Sequence, residues 1–449
     1  MIGQPLGPPD RRNLVDNAFV RAFRTPELRN KLLFVLGMLA IYRFGVFVPT
    51  PGFDYTNIAA CTEQALNGAG GGVLGMVNLF SGGALLQMSV FALGVMPYIT
   101  ASIIVQLLRV VIPKFEELHK DGQAGQATLT QYTRYMTIGL AVLQSTTVIT
   151  LVRSGAFFAG CNLPLVPNQS WWMLVLMILT MTTGTLVIMW LGELITEKGV
   201  GNGMSLLIFT SIAAGFPASF GQILKLQGWM TFSIVMLIGM IIVIAVIYVE
   251  QSQRRIPVQY AKRQVGRRLV GGSSTYIPIK VNQAGVIPII FASSLLALPQ
   301  LIASFGDQRS GWVQWIHANF VLGQGFSWMY SLVYFALIVF FAFFYVSITF
   351  NAEEIADNMK KYGGFVPGIR AGRPTARYLE YVINRVLSAG SLYLGILALV
   401  PLIAFALLGA DQKFPFGGTS LLIIIGVGLD TLKQISSKLQ QHHYEGILR

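Results

Sequence analysis

The chain has 449 residues, of which 54% are hydrophobic and 11% charged, whereas a soluble globular domain carries about a quarter charged residues. Such a composition cannot furnish a water-soluble surface, and apolar runs approaching the roughly 20 residues that cross a bilayer recur along the chain. The 32 Lys and Arg against 19 Asp and Glu leave a formal charge of +13, which has to sit mainly in loops, where its placement reports orientation.

Met1 to Asn30 is polar and reads as a cytoplasmic segment; the first apolar run starts at Leu32, too late and too long for a cleaved signal peptide. Apolar runs between turn and charge clusters predict ten spans: Leu32 to Val48, Val90 to Ile112, Tyr135 to Leu151, Trp172 to Leu191, Met204 to Phe220, Trp229 to Val249, Ala284 to Ile302, Trp328 to Phe350, Leu387 to Leu408 and Thr419 to Leu432. A further piece, Val73 to Leu86, is too short to cross and follows Gly68, Gly70, Gly71 and Gly72. It is expected to be a re-entrant half-helix, buried in protein or lining a cavity. The termini and the loops after spans two, four, six and eight hold 27 of the 32 basic residues; Arg43, Arg153, Lys225, Arg309 and Lys413 lie on the other side. By the positive-inside bias both termini are cytoplasmic and the span number is even. Cys61 and Cys161 fall in external loops. Two separate thiols is the reading adopted, with a disulfide as the alternative.

The second span contains Gly94-Val95-Met96-Pro97-Tyr98-Ile99-Thr100-Ala101-Ser102 and the seventh Gly285-Val286-Ile287-Pro288-Ile289-Ile290-Phe291-Ala292-Ser293, identical at six of nine positions. The fifth span opens Gly203-Met204-Ser205-Leu206-Leu207-Ile208 and the tenth Gly418-Thr419-Ser420-Leu421-Leu422-Ile423, identical at five of six. Both matches pair span n with span n+5, and an odd offset reverses direction. The chain is therefore expected to form an all-α polytopic membrane protein with two inverted five-helix halves, 31–225 and 226–449, and a functional site at the midplane between them. Val95 and Ile99 share a helix face, as do Met204 and Ile208, and the repeat copies Ile99 onto Ile290 and Ile208 onto Ile423. Such aliphatic side chains could converge from four helices and close a path by excluding water, with nothing for an ion to bind.

Buried ionisable residues mark ion relays in transporters. Here Arg43, Arg109 and Glu193 lie only near span ends, so a passive conduit is preferred and an ion-coupled secondary transporter is the alternative. Enzyme signatures fail. Gly70-Gly71-Gly72-Val73-Leu74-Gly75 fits G-x-G-x-x-G without a βαβ context, His442 and His443 have no ligand or base partners at useful spacing, and no nucleophile and base arrangement stands out. No metal or cofactor is expected. Two long inner loops, about 250–283 and 351–385, are strongly basic, and topology explains only part of that charge. The rest suggests docking of phosphate backbone or an acidic protein surface.

Several ordered motifs resemble the SecY family, the channel subunits of bacterial protein-conducting translocons. They are Asn78-Leu79-Phe80-Ser81-Gly82-Gly83-Ala84-Leu85, the Pro97 and Pro288 segments, Gln131-Tyr132-Thr133-Arg134-Tyr135, Gly192-Glu193-Leu194-Ile195-Thr196-Glu197, Gly201-Asn202-Gly203, Gly266-Arg267-Arg268, Phe365-Val366-Pro367-Gly368-Ile369-Arg370 and Gly417-Gly418-Thr419-Ser420. The resemblance implies a channel that passes signal-bearing, unfolded polypeptides across the bacterial plasma membrane and releases membrane helices sideways into the lipid bilayer. It implies a pore ring of Val95, Ile99, Met204, Ile208, Ile290 and Ile423, and a plug around Asn78, Phe80, Ser81, Gly82 and Gly83. Ser102, Gln106, Gln144 and Lys280 match positions near a lateral gate between spans two and seven. Lys262, Arg267, Arg268 and Arg370 match docking positions for the ribosome or the SecA motor, and SecE and SecG are the implied membrane partners. Met204 stands where the family usually has a branched aliphatic residue, and Ala371 where it often has Pro; Met1 to Asn30 matches nothing transferable.

Overall fold

In hydrocarbon every backbone N–H and C=O must be paired within the protein, so spanning segments of this composition form helices. The computed structural model describes residues 25–445 apart from 68–80, 154, 156, 159–160, 162, 169, 261–262, 266–267, 271–273, 306–309, 321–326 and 409–417. Each of the ten expected spans coincides with a helix or part of one. They are α1 (Pro26–Gly45), α3 (Met96–Val111), α5 (Gln123–Arg153), α6 (Trp171–Lys198), the two parts of α7 (Gly203–Gln251), α8 (Ile287–Phe305), α10 (Trp328–Thr349), α12 (Arg373–Leu408) and α13 (Gly418–Glu445). Shorter helices are α2 (Tyr55–Asn67), α4 (Pro113–Lys120), α9 (Gly311–Phe320) and α11 (Ala352–Lys361). By length and composition, six segments among the described residues can cross a bilayer: Gln123–Arg153, Trp171–Lys198, Gly228–Gln251, Trp328–Lys361, Arg373–Val400 and Ser420–Leu439.

Helix bounds differ from the expected ones. Spans five and six are two helices, as expected, that follow one another within α7 and are broken at Gly228, whose φ of 76° and ψ of 178° lie outside the helical region. Several helices outrun their apolar cores, because a helix ends where its backbone is capped and not where lipid stops; α5 begins twelve residues before Tyr135. The expected half-helix falls mostly on 73–80, outside the described residues; of its remainder, Ser81 is helical and 82–86 are turns. Positive φ at Gly82, Gly83, Met88 and Gly94 explains why no regular helix continues there.

The repeat extends from sequence into backbone. Gly94 and Gly285 both adopt positive φ, 57° and 63°, and α3 and α8 both start two residues later. In one set, α3 packs on α5, α5 on α6 and α6 on α7; in the other, α8 packs on α10, α10 on α12 and α12 on α13. The halves touch through α7 with α13 and α3 with α8. A Cβ on Gly184 of α6 would collide with the Val90 carbonyl, and one on Gly390 of α12 with the Val281 carbonyl. Val90 and Val281 each lie four residues before the matched hinge glycine.

A small sheet stands on the basic loops. Strands β1 (Gln253–Tyr260) and β4 (Ser274–Lys280) form an antiparallel hairpin, and a shorter ribbon joins β2 (Arg263–Val265) to β3 (Arg268–Val270). Strand β5 (Gly364–Phe365), from the second basic loop, pairs with β1 through Gln259 and Tyr260. Ile256, Val258 and Ile279 are buried against Val346, Met359, Val366, Leu379 and Ile383. Both basic loops therefore rest on one apolar core, at the end of α10 and the start of α12.

Gly184→Ala and Gly390→Ala are each expected to destabilise by about 1–3 kcal/mol through overpacking, lowering the Tm of the purified protein. Gly37→Ala, whose Cβ meets nothing within 4 Å, should be neutral or slightly stabilising.

Candidate functional site

The start of α7 is built from backbone contacts that only small residues permit. Asn202 caps the helix, its Oδ1 accepting from the N–H groups of Met204 at 3.1 Å and Ser205 at 3.3 Å, a contribution of about 1 kcal/mol. Thr196 Oγ1 donates to the Gly192 carbonyl at 2.8 Å and accepts from the Gly203 N–H at 2.8 Å. A Cβ on Gly203 would collide with the Gly192 carbonyl, and one on Gly192 with the Met204 sulfur. The crossing of α6 and α7 is thus at backbone contact, and Met204 lies along the glycine surface.

From this base the six apolar positions come together. Val95, Met204, Ile208, Ile290 and Ile423 are buried in a single apolar cluster, and Ile99, half-buried, packs against it. The residues come from the α3 region, α7, α8 and α13, so four matched elements contribute. Val286, the repeat partner of Val95, and Ile424 also pack there. All six side chains are aliphatic or thioether. A bare ion among them would find no oxygen ligand, and the effective cost of such desolvation is several kcal/mol.

Of the plug positions, Asn78 and Phe80 lie outside the described residues. Ser81 is buried, and Gly82 and Gly83 have positive φ. Sequence reasoning missed what holds them. Arg43 Nη1 donates to the Gly82 carbonyl, while Tyr42 Oη and Ser211 Oγ are hydrogen-bonded at 2.6 Å in the interior. A Cβ on Gly82 would press on the Ser211 backbone. The visible signal was Arg43, an isolated cation at the edge of an apolar run.

Ser102 and Gln106 are half-buried on α3 and Gln144 is half-buried on α5, which packs beside it. Lys280 ends β4, at the root of the hairpin, and its Nζ pairs with Asp430 of α13 at 3.3 Å. Lys262 and Arg267 lie outside the described residues; Arg268 opens β3. Arg370 is exposed on a turn between Gly368 and Gly372, both at positive φ. The Thr375 hydroxyl donates to its carbonyl at 2.9 Å. Arg134 of α5 grips Glu193 of α6 through Nε to Oε1 at 2.9 Å and Nη2 to Oε2 at 2.8 Å, a fork geometry that adds direction to a modest ion pair.

On the opposite face from the hairpin, Cys61 of α2 and Cys161 are joined in a disulfide with Cα atoms 5.5 Å apart, so the reading of two separate thiols is corrected. The bond lies in an apolar cluster with Ile58, Leu85, Met88, Phe158, Leu165 and Met177. Polar bonds reinforce it: Asp54 N–H donates to the Leu165 carbonyl at 3.0 Å, Asn57 Nδ2 to the Pro164 carbonyl at 3.0 Å and Thr62 Oγ1 to the Leu86 carbonyl at 3.1 Å. Hydrogen bonds from Thr56 and Asn57 hold the Asp54 carboxyl below its ordinary range. Sequence could place both cysteines on one side but could not choose between pairing and separation. Among the described residues no group of His, Cys, Asp and Glu could hold a metal ion.

An all-helical bundle with matched halves, an apolar cluster where they meet and a basic sheet on one face defines a multi-pass membrane protein of the protein-translocation channel fold. The family model for SecY matches residues 89–432, and the chain belongs to that family. It is 60% identical over 438 residues to the protein translocase subunit SecY of Streptomyces coelicolor, covering 96% of this chain and 99% of that one. It is 54% identical over 442 residues to the protein translocase subunit SecY of Mycobacterium bovis, covering 96% of this chain and 100% of that one. A solved structure of a protein-conducting channel superimposes with a TM-score of 0.61 at 17% identity, covering 90% of this chain and 91% of that one. Sec61 in a canine ribosome-channel complex superimposes with a TM-score of 0.56 at 17% identity over the same shares.

In denaturant without reductant, a maleimide probe is expected to modify neither cysteine, and in denaturant with reductant both; labelling before reduction would contradict the pairing. Replacing both by Ser should cost about 2–5 kcal/mol, read as a fall in Tm.

Proposed function

We propose that the chain is the channel subunit of a translocon that passes signal-bearing polypeptides across a bacterial plasma membrane and releases apolar helices sideways into lipid. The observation that carries this reading is the meeting of Val95, Ile99, Met204, Ile208, Ile290 and Ile423, from four matched elements of a SecY-family chain, in one apolar cluster. The two halves, 31–225 and 226–449, form the walls. The six side chains are the waist between wet funnels, sealing by dewetting and adapting to any extended chain because aliphatic groups make no directional demands.

In this account residues 78–83 are the plug, steadied by Arg43 through the Gly82 carbonyl. Spans two and seven part as the lateral gate, with Ser102, Gln106 and Gln144 near its polar lining and Lys280 at its root. The sheet formed by both basic loops is the docking platform for SecA or the ribosome, with Lys262, Arg267, Arg268 and Arg370 as contacts. SecE and SecG are the membrane partners, and both termini are cytoplasmic. An ion-coupled transporter is disfavoured by placement of charge: the Arg134–Glu193 and Lys280–Asp430 pairs stand outside the apolar cluster.

Ile99→Asn and Ile290→Asn are expected to raise ion conductance in planar bilayers at least several-fold and to let precursors with weakened signal sequences pass in reconstituted vesicles. Wild-type conductance in both variants would remove the pore assignment.

A further inference from the structure

The two hinge glycines of the repeat are steadied by different chemistry. In the first half, Phe91 lies three residues before Gly94 and stacks on Tyr42 of α1, with ring centroids 6.0 Å apart and planes within 14°. The repeat carries Phe91 onto Asn282, three residues before Gly285. Asn282 is 3% exposed. Its Nδ2 donates to Glu250 Oε1 and, at 3.2 Å, to the Gly285 carbonyl. Asn282 Oδ1 is buried without a protein partner. In both halves the preceding span supplies the grip: Tyr42 from span one, Glu250 from span six.

The polar grip sits at a junction. Glu250 lies three residues before β1 and Asn282 two residues after β4. The last rung of the hairpin is Gln253 opposite Lys280, and Val281 N–H donates to the Ser252 carbonyl at 3.1 Å just below it. Lys280 reaches Asp430 of α13 at 3.3 Å. Hairpin root, hinge of α8 and end of α7 therefore share one anchor. A ring stack weakens gradually as it slides, whereas a hydrogen bond fails within about an ångström of lengthening. The seventh span is the one whose hinge can be released abruptly.

We propose that Glu250 and Asn282 form a positioning latch that sets the resting place of the seventh span and links it to the hairpin root. This rests on the reading of α3 and α8 as walls of a gate. The test uses the reconstituted protein spin-labelled at V111C and L295C, two exposed positions on α3 and α8; the native cysteines are bonded to each other. Double electron–electron resonance should show a narrow distance distribution in the otherwise unchanged protein. N282A and E250A should each displace and broaden it by a few ångströms, and the double variant should add nothing further, because both remove one interaction. E250Q, which keeps an acceptor oxygen, should restore the parent distribution. Unchanged distributions in N282A and E250A, even with lowered Tm, would overturn the latch and leave only a stabilising bond. Helix position is read here without any conductance, so failure of the latch is separable from failure of the channel reading, which the Ile99 and Ile290 variants address.

Discussion

Close backbone approach at a few glycines is the constraint on which the remaining structure depends. Val and Ile side chains are short, and they can meet at one place only if each element that carries them is held close against its neighbour in the bundle. Gly192 and Gly203 permit this between α6 and α7, Gly184 between α6 and the segment before α3, and Gly390 between α12 and the segment before α8. Van der Waals packing is the available glue in lipid, where burial of apolar groups drives little association, and small residues are what allow it. The apolar cluster is thus a product of backbone geometry first and of side-chain chemistry second.

Charge is arranged around that cluster and not within it. The fork between Arg134 and Glu193 ties α5 to α6, and the Lys280 pair ties the hairpin root to α13. The two basic loops, far apart in sequence, share β1 as a common strand. A docking partner on this sheet would therefore engage a unit already fastened to the ends of four membrane helices. On the other face, the disulfide and its surrounding apolar residues fix α2 against the turns at 85–92.

Much of this was legible in the amino-acid sequence, for identifiable reasons. Repeated Gly-Val-x-Pro and Gly-x-Ser-Leu-Leu-Ile segments marked helix starts that do match in backbone, because proline fixes φ and glycine readily takes the positive φ found at Gly94 and Gly285. The six apolar positions were found through that repeat and not through hydrophobicity, which is uniform across such a chain. The hairpin was hidden by its charge. Ile256 and Val258 on one strand and Ile277 and Ile279 on the other alternate with period two, but a proline stands between the members of each pair and arginines crowd the segment. Partners distant in sequence, such as Glu250 with Asn282 or Cys61 with Cys161, were out of reach, since their spacing encodes no geometry. Bounds of helices erred both ways: α5 begins twelve residues before Tyr135, whereas α3 begins six residues after Val90, because apolar runs report thickness of lipid while caps and turns report where helical hydrogen bonding starts and ends.

The central claim is that a polypeptide travels through the six-membered waist. Its most direct test places a photoreactive phenylalanine analogue at Ile290 or Ile423 and, as a control, at Leu237 on the exposed outer surface of α7, then stalls a translocating precursor in the reconstituted complex. The account predicts precursor adducts from Ile290 and Ile423 and none from Leu237. Adducts to lipid alone at the two isoleucines, with the precursor fully engaged, would contradict it.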